Sequence, residues 1–518
     1  MNTDHLTGAS PAGAPGPRRT LTTSKIIVLI IAALTPLSVV GSTMPLGLAF
    51  GGPTTPLMFI VAGCIIGLFC VGYSQMVQRI TRPGAFYNYI ARGLGRPAGV
   101  GAAMIAVVGY PAGLTASFTA SAFVAQETLH SLFGITVGWP WLVAVQIGIA
   151  TLLCYRRIDF NARVVMVVVA CEVALIVALV VAIVAAKGLQ AFPLSVFTPH
   201  AFTIGQWTVA FIFAILCYQG YEAGALYAPE AINPEKTVPR ALYGALILLT
   251  ALLVLISWTL TSVSGVDQQP AVVQDAGIAG FVFGTVQQHL GEVGLWCFSL
   301  LIMLAQTACN IAIVNFMSRY INSLAKEQLL PRFLARENRS DSPGTAVLAL
   351  NGFALIVIFG LAIVGIDPYA QLSAVGFGIG ALAATVLQAL ACASVVAYFL
   401  RLPSSQRHWW KTLVAPTLGT ALLVIAVVIE LRGFTWITGA PMHGLVALLP
   451  WAVPIVFTIG VTFGLWLKRN KPDVYATLAA GDTAEEAALL QTRSPRPHRP
   501  VNPSGPGTPP RTELEKLP

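Results

Sequence analysis

Two carboxyl groups in this chain of 518 residues lie deep inside apolar segments. Glu222 belongs to "CYQGYEAGALYAPE", residues 217–230, and stands between Gly220 and Gly224. Glu172 closes "NARVVMVVVACE", residues 161–172. An ionisable side chain at the centre of a membrane helix costs about 2.5–3.5 kcal/mol on insertion scales, so it is a functional candidate by default. Either carboxyl can bind and release a proton. Glu222 can also meet a solute, with Tyr218 and Tyr221 on either side of Gly220 as walls. Plainer roles stay open: Glu222 as a protonated acid bonded to loose backbone, and Glu172 as a hydrogen bond between helices. Tyr110, in "VGYPAG", either closes over a solute or simply packs. Glu127, Glu292 and Glu430 fall near segment ends, where headgroup water explains them.

Other chemistry is missing from these segments. All seven histidines lie in termini, loops or near segment ends, and no segment interior carries an aspartate. Paired His/Asp metal sites and Ser/His arrangements therefore have no place to assemble. The eight cysteines (Cys64, Cys70, Cys154, Cys171, Cys217, Cys297, Cys309 and Cys392) include no C-x-x-C pair. They read as small buried hydrophobes rather than a disulfide or metal framework. Neither a cofactor nor a metal is expected, and a membrane-embedded enzyme is a distant alternative. A receptor or channel is another, but no ring of pore-lining charge is visible.

The elements that position these residues must be membrane helices. Hydrophobic residues make up 56% of the chain and charged residues 10%, against about 25% charged in ordinary globular chains. A crossing needs about 20 apolar residues. Twelve such segments occur, roughly at 26–50, 56–78, 98–126, 139–155, 162–186, 206–229, 240–264, 293–323, 345–366, 369–400, 412–431 and 446–467. With the N-terminus inside, 28 of the 30 Lys and Arg residues fall in inside regions; only Lys187 and Arg432 fall outside. That asymmetry sets an even topology with both termini cytoplasmic. It also explains the net charge of +9 without nucleic acid. Residues 1–24 read as a disordered N-terminus and not a signal peptide, residues 25–468 as the membrane domain, and 469–518 as a Pro-rich disordered tail.

Two segments are written differently from the rest. The first holds "LTPLSVVGSTMPLGLAFGGP", with Pro36, Gly41, Pro45 and a Gly51-Gly52-Pro53 exit. The sixth holds Gly220, Gly224 and Pro229. Proline removes a backbone donor and glycine tolerates unwound angles. Irregular backbone at membrane depth survives only where protein buries it or a cavity receives it. The two interruptions are five segments apart, and five is odd. They therefore occupy matching places in two inverted repeats, about 25–186 and 206–400, followed by two further helices at about 412–467. Interrupted helices in matching positions point to a midplane site in a secondary transporter.

At residues 220–241, "GYEAGALYAPEAINPEKTVPRA" resembles the sixth-helix signature of the amino acid–polyamine–organocation permeases. "RPGAFYNYIARGLGR" looks like that family's first cytoplasmic loop, and "SRYINSLAKEQLLPRFL" like its exit from helix 8. The resemblance covers roughly residues 25–468. It implies an all-α integral membrane fold of 12 transmembrane helices, a five-plus-five inverted repeat with discontinuous helices 1 and 6, and alternating access. It also implies a solute pocket lined by Ser38, Val39, Val40, Gly41, Ser42 and Thr43 from helix 1, and by Tyr218, Gly220, Tyr221 and Glu222 from helix 6; Tyr110 joins them from the reading of helix 3. Ser38-Val39-Val40 stands where many members have Gly-x-Gly, and Leu216 where a bulky aromatic gate often stands. Glu172 matches a position that some proton-coupled relatives fill with lysine, so it either exchanges a proton or helps hold a cation. The expected activity is amino acid transport across the inner (cytoplasmic) membrane, coupled to protons or exchange rather than sodium, with Glu172 or Glu222 as the coupling group. A polyamine or other organic amine is the alternative cargo. The partners are a small-molecule substrate and the lipid bilayer, and the oligomeric state is left open.

Overall fold

In hydrocarbon there is no water to satisfy peptide groups, so each spanning segment must bond its own N–H and C=O. The computed structural model, which describes residues 21–79, 85–156, 162–338, 342–365, 372–435 and 444–478, meets this demand largely with helix. Among those residues the chain is helical and forms no strand, only an isolated parallel bridge between Leu21 and Ala231. The main helices are α1 (Thr23–Leu34), α2 (Thr55–Val77), α3 (Ala85–Leu94), α4 (Arg96–Phe133), α5 (Trp139–Tyr155), α6 (Ala162–Lys187) and α7 (Trp207–Leu216). They continue as α8 (Pro234–Ser264), α9 (Ile278–Lys326), α10 (Gly344–Ile363), α11 (Ala374–Leu400), α12 (Ala415–Arg432) and α13 (Ala452–Asn470). Nine helical runs among the described residues are long and apolar enough to cross a membrane. One of these, Thr23–Val77, has 55 residues, and α5 and α7 are shorter apolar helices.

The helices pack through small residues, as expected where no hydrophobic force separates protein from lipid. α4 lies against α11 and α13, and α2 against α7, α8 and α12. On α4, a methyl group at Gly109 would sit 2.2 Å from Cβ of Ala383. On α11, one at Gly376 would sit 2.7 Å from the Ala112 carbonyl oxygen. The opposite kind of surface appears on α5, where Trp141, Val145 and Leu152 are exposed. Apolar side chains turned outward in this way suit lipid.

Two places break the regular pattern at depth. α1 ends at Leu34, and Thr35 takes a left-handed conformation with φ 39°. Pro36 starts a second helical run through residue 51, with wide turns at Val39–Thr43 and Gly47–Gly51. Pro45 cannot donate to the carbonyl of Gly41, so the ladder widens there and the Met44 N–H bonds the Val39 carbonyl instead. The second break follows α7. The chain turns through residues 217–220, Gly220 takes φ 92°, and Tyr221–Glu230 winds as a tighter helix. In α9, Gly291 has φ 69° and separates two helical stretches.

Of the residues expected to be disordered, 1–20 and 479–518 lie outside the described residues, while 21–24 are folded: Leu21 bridges Ala231, and Thr22 caps the helix that Thr23 opens. Residues 472–478, expected to belong to the disordered tail, are folded: Pro472–Thr477 is a short helix. Arg96 at the start of α4 holds it, with Nε 2.9 Å from the Leu478 carbonyl and its guanidinium over the Tyr475 ring. These contacts, with a second guanidinium hydrogen bond to the Ala476 carbonyl at 3.0 Å, outweigh the local polar composition that suggests disorder.

The α4–α11 contact gives a direct test. Gly109→Val should overpack it and lower stability by about 1–3 kcal/mol, read as a reduced melting temperature in detergent. An unchanged melting temperature would contradict the close approach of Gly109 and Ala383.

Candidate functional site

The break in the first helix leaves N–H groups at the start of residues 36–51 without partners of their own. Glu172 of α6 meets them. Its side chain is buried, and the Leu37 backbone N–H faces its carboxyl. A carboxyl suits the positive end of a helix. Oε2 of Glu172 has no hydrogen-bond partner. On the other side of the break, the Ala33 carbonyl accepts from Sγ of Cys309, on α9, at 3.5 Å. Thr35 and Glu172 both lie beside that thiol. Three helices thus converge on one interruption.

The second interruption lies next to the first. A methyl group on Gly220 would be 3.9 Å from the Ala33 carbonyl oxygen. Two residues on, Glu222 is buried, and its Oε1 accepts from Tyr110 Oη at 2.6 Å. Tyr110 in turn stacks edge-on against Phe316 of α9, with ring centroids 5.5 Å apart. The Gln388 side chain of α11 and the backbone N–H groups of Gly220 and Glu222 also face this carboxyl. Tyr73 Oη of α2 donates to the Glu222 carbonyl at 3.3 Å.

Tyr218 and Tyr221 take a different place from the one expected. Both are fully buried, with their hydroxyls turned toward α2. Oη of Tyr218 lies 3.0 Å from the Phe59 carbonyl and 2.9 Å from Oγ1 of Thr250. Oη of Tyr221 lies 2.9 Å from Sγ of Cys70. Gly220, with φ 92°, lies between them, and both hydroxyls bond neighbouring helices and so anchor the irregular segment. Residues 38–43 are helical rather than unwound. Gly41 rests on α9, where a methyl group would lie 2.3 Å from Cδ1 of Ile302. Ser38, Val39 and Val40 are buried, and Oγ of Ser38 has no partner. Ser42 and Thr43 are half-buried, and Oγ of Ser42 donates to the Ser38 carbonyl at 2.6 Å.

Residues 21–466 match the family model described as amino acid permease. The chain belongs to that family. It is 23% identical over 358 residues to a branched-chain amino acid permease of Lactococcus lactis, covering 65% of this chain and 75% of the relative. It is also 23% identical over 338 residues to an uncharacterized transporter of Mycobacterium tuberculosis, covering 58% of this chain and 64% of the relative. A transporter of Mycobacterium bovis matches to the same extent. The protein is a multi-pass membrane transporter for a small molecule such as an amino acid, and not an enzyme.

In this permease several contacts around the breaks had no strong signal in the sequence. Gln388 is a lone amide in "ATVLQALACAS", and its partner is 166 residues away. Cys309 read as packing, yet it meets the backbone of the first break. A buried polar chain also links α4, α5 and α9. Ser117 donates to Oδ1 of Asn310, Nδ2 of Asn310 lies 3.1 Å from Oγ of Ser121, and Ser121 reaches Gln146. Glu430 needs a correction: it is not in headgroup water but fully buried, with Oε1 2.8 Å from Oγ1 of Thr385.

The Tyr110–Glu222 pair can be tested by removing the hydroxyl. Tyr110→Phe leaves a buried carboxyl oxygen without its donor, at a cost of about 1–3 kcal/mol. The expected result is a lower melting temperature together with slower transport. If both stay at wild-type values, the pair does not hold the second break.

Proposed function

We propose that this permease carries neutral amino acids with apolar side chains across the cytoplasmic membrane, by alternating access and with proton coupling. The observation that carries the reading is the pairing of one buried carboxyl with each helix break. Glu172 faces the Leu37 N–H, and Glu222 faces the turn at Gly220. A proton taken up or released at either carboxyl changes how that break is held, which links proton binding to the shape of the site. Backbone groups at the breaks supply donors and acceptors for the ammonium and carboxylate that every amino acid carries. The proposed lining comprises Ser38 to Thr43, Gly220, Glu222 and Tyr110, while Tyr218 and Tyr221 brace the second break from behind.

The choice of cargo rests on charge and packing. Among the described residues, the buried charged side chains are Glu172, Glu222 and Glu430, all acidic. An acidic side chain would find no cation there. A second amino group, as in a polyamine, would have to share Glu222 with Tyr110, which already holds Oε1 and leaves it only Oε2. Phe298 and Ile302 meet Gly41, and Phe316 backs Tyr110. The branched-chain name of the Lactococcus relative points the same way.

Counting Thr23–Val77 as two crossings and adding α5 and α7 to the other long runs gives the twelve spans of a five-plus-five inverted repeat with two further helices. The placement of 28 of 30 basic residues supports cytoplasmic termini.

Uptake into proteoliposomes tests the whole reading. Labelled leucine and valine should accumulate under an imposed inward proton gradient; lysine, glutamate and putrescine should not, and a sodium gradient should have no effect. Failure of every amino acid to accumulate or exchange would sink the proposal. Glu172→Gln should abolish gradient-driven accumulation while leaving leucine–leucine exchange within about threefold, a barrier change well under 1.4 kcal/mol. Full proton-driven uptake by that variant would remove Glu172 from the coupling role and leave Glu222.

A further inference from the structure

A third buried carboxyl lies outside both breaks. Glu430 is on α12 and has no solvent exposure. Its Oε1 is 2.8 Å from Oγ1 of Thr385, and its Oε2 has no partner. Oγ1 of Thr385 is also 3.1 Å from the Ala381 carbonyl. A threonine hydroxyl has a single proton. When that proton serves the Ala381 carbonyl, as helical threonines commonly arrange, the contact with Glu430 needs a proton from the glutamate side. A neutral carboxylic acid supplies it by donating to Oγ1 of Thr385.

The surroundings offer no other way to support a charge. α12 packs against α2, α7, α11 and residues 409–414. Among the described residues these elements bring no charged or titratable side chain onto Glu430, and Thr385 is the group that bears on it. On its own helix, Arg432 is exposed. Lys411 is 19 residues earlier, roughly 28 Å away along a helix rising 1.5 Å per residue.

Position connects Glu430 to the site. Thr385 and Gln388 are three residues apart on α11, so they share a face. Thr385 meets Glu430, and Gln388 faces Glu222. The end of α12 also rests on α7, where a methyl group on Gly433 would lie 2.4 Å from Cδ1 of Ile212.

We propose that Glu430 is a proton-binding positioning residue: its neutral form fastens α11 to α12 through Thr385 and so holds Gln388 against Glu222. Deprotonation puts an ion where one hydroxyl is its whole polar shell. The fastening then loosens, and α11 shifts relative to the second break. The inference holds for any cargo, and its main readouts do not depend on transport.

The test uses the full-length permease in detergent and in proteoliposomes. Wild type should show a protonated-carboxyl C=O band in infrared difference spectra that Glu430→Gln removes and Thr385→Val shifts. From about pH 5 to about pH 9, a range that brackets the titration of strongly perturbed carboxyls, the melting temperature of wild type should fall relative to that of Glu430→Gln. The sign follows from the proton: stability that depends on the neutral acid is present at low pH and lost as pH rises. Leucine–leucine exchange by wild type should slow over the same range, with that limb flattened in Glu430→Gln. If Glu430→Gln does not fold, the Thr385→Val band shift still decides. The proposal is overturned if Glu430→Gln leaves the infrared band in place, if Thr385→Val does not move it, or if the melting curves of wild type and Glu430→Gln keep a constant separation across the range.

Discussion

Backbone broken inside hydrocarbon has to be repaired by the protein itself, and the rest of this structure follows from that constraint. Two helices are interrupted at depth, at Thr35 and at Gly220. Each interruption frees peptide groups that lipid cannot satisfy. The repair comes from side chains on distant helices. Glu172 of α6 meets the Leu37 N–H, Cys309 of α9 reaches the Ala33 carbonyl, and Tyr73 of α2 reaches the Glu222 carbonyl. These contacts fix which helices surround the breaks. They also bring the breaks so close that a methyl group on Gly220 would lie 3.9 Å from the Ala33 carbonyl oxygen.

Much of this is legible in the sequence, because the signals are local. Long apolar runs specify helices, and Gly220 marks its own turn since φ 92° is costly for any residue with a side chain. The first break is harder to place. Gly41 and Pro45 suggest unwinding, but the chain breaks six residues earlier, at Thr35. Proline tolerates the first turn of a helix, so Pro36 opens the new run rather than disrupting an old one. Gly41 serves instead to let Ile302 approach. Side-chain direction is less legible still. Tyr218 and Tyr221 are neighbours of Gly220 in sequence, yet a positive φ between them turns both rings onto α2. Glu430 is hard to place for a similar reason. Two residues from Arg432 it reads as interfacial, and only the packing of α11 on α12 shows that it is sealed.

The buried charge is all of one sign. Among the described residues, three acids and no bases are buried. A basic partner would neutralise each acid permanently and fix it in place. Without one, the state of each carboxyl depends on protons and on the few hydrogen bonds around it. Each acid is supported on one side only: Oε2 lacks a partner in Glu172, Glu222 and Glu430 alike. An under-supported buried acid is a poor stabiliser. It is a good sensor, because small rearrangements nearby change what it can bond to.

α11 brings these features together. It packs on α4 through residues as small as Gly376, which lets the two backbones approach closely. On the opposite side it meets α12 at Thr385, and one turn further it presents Gln388 to Glu222. Glu222 is tied in turn to Tyr110 of α4 and, through Gly220, lies beside α1. A displacement of α11 therefore cannot stay local. It alters the donors around Glu222, and Glu222 can answer only by changing its bond to Tyr110 or its protonation. Alternating access asks for this kind of coupling between a moving helix and a titrating site. On the proposed reading it runs through one amide and one hydroxyl, Gln388 and Thr385, on a single face of α11.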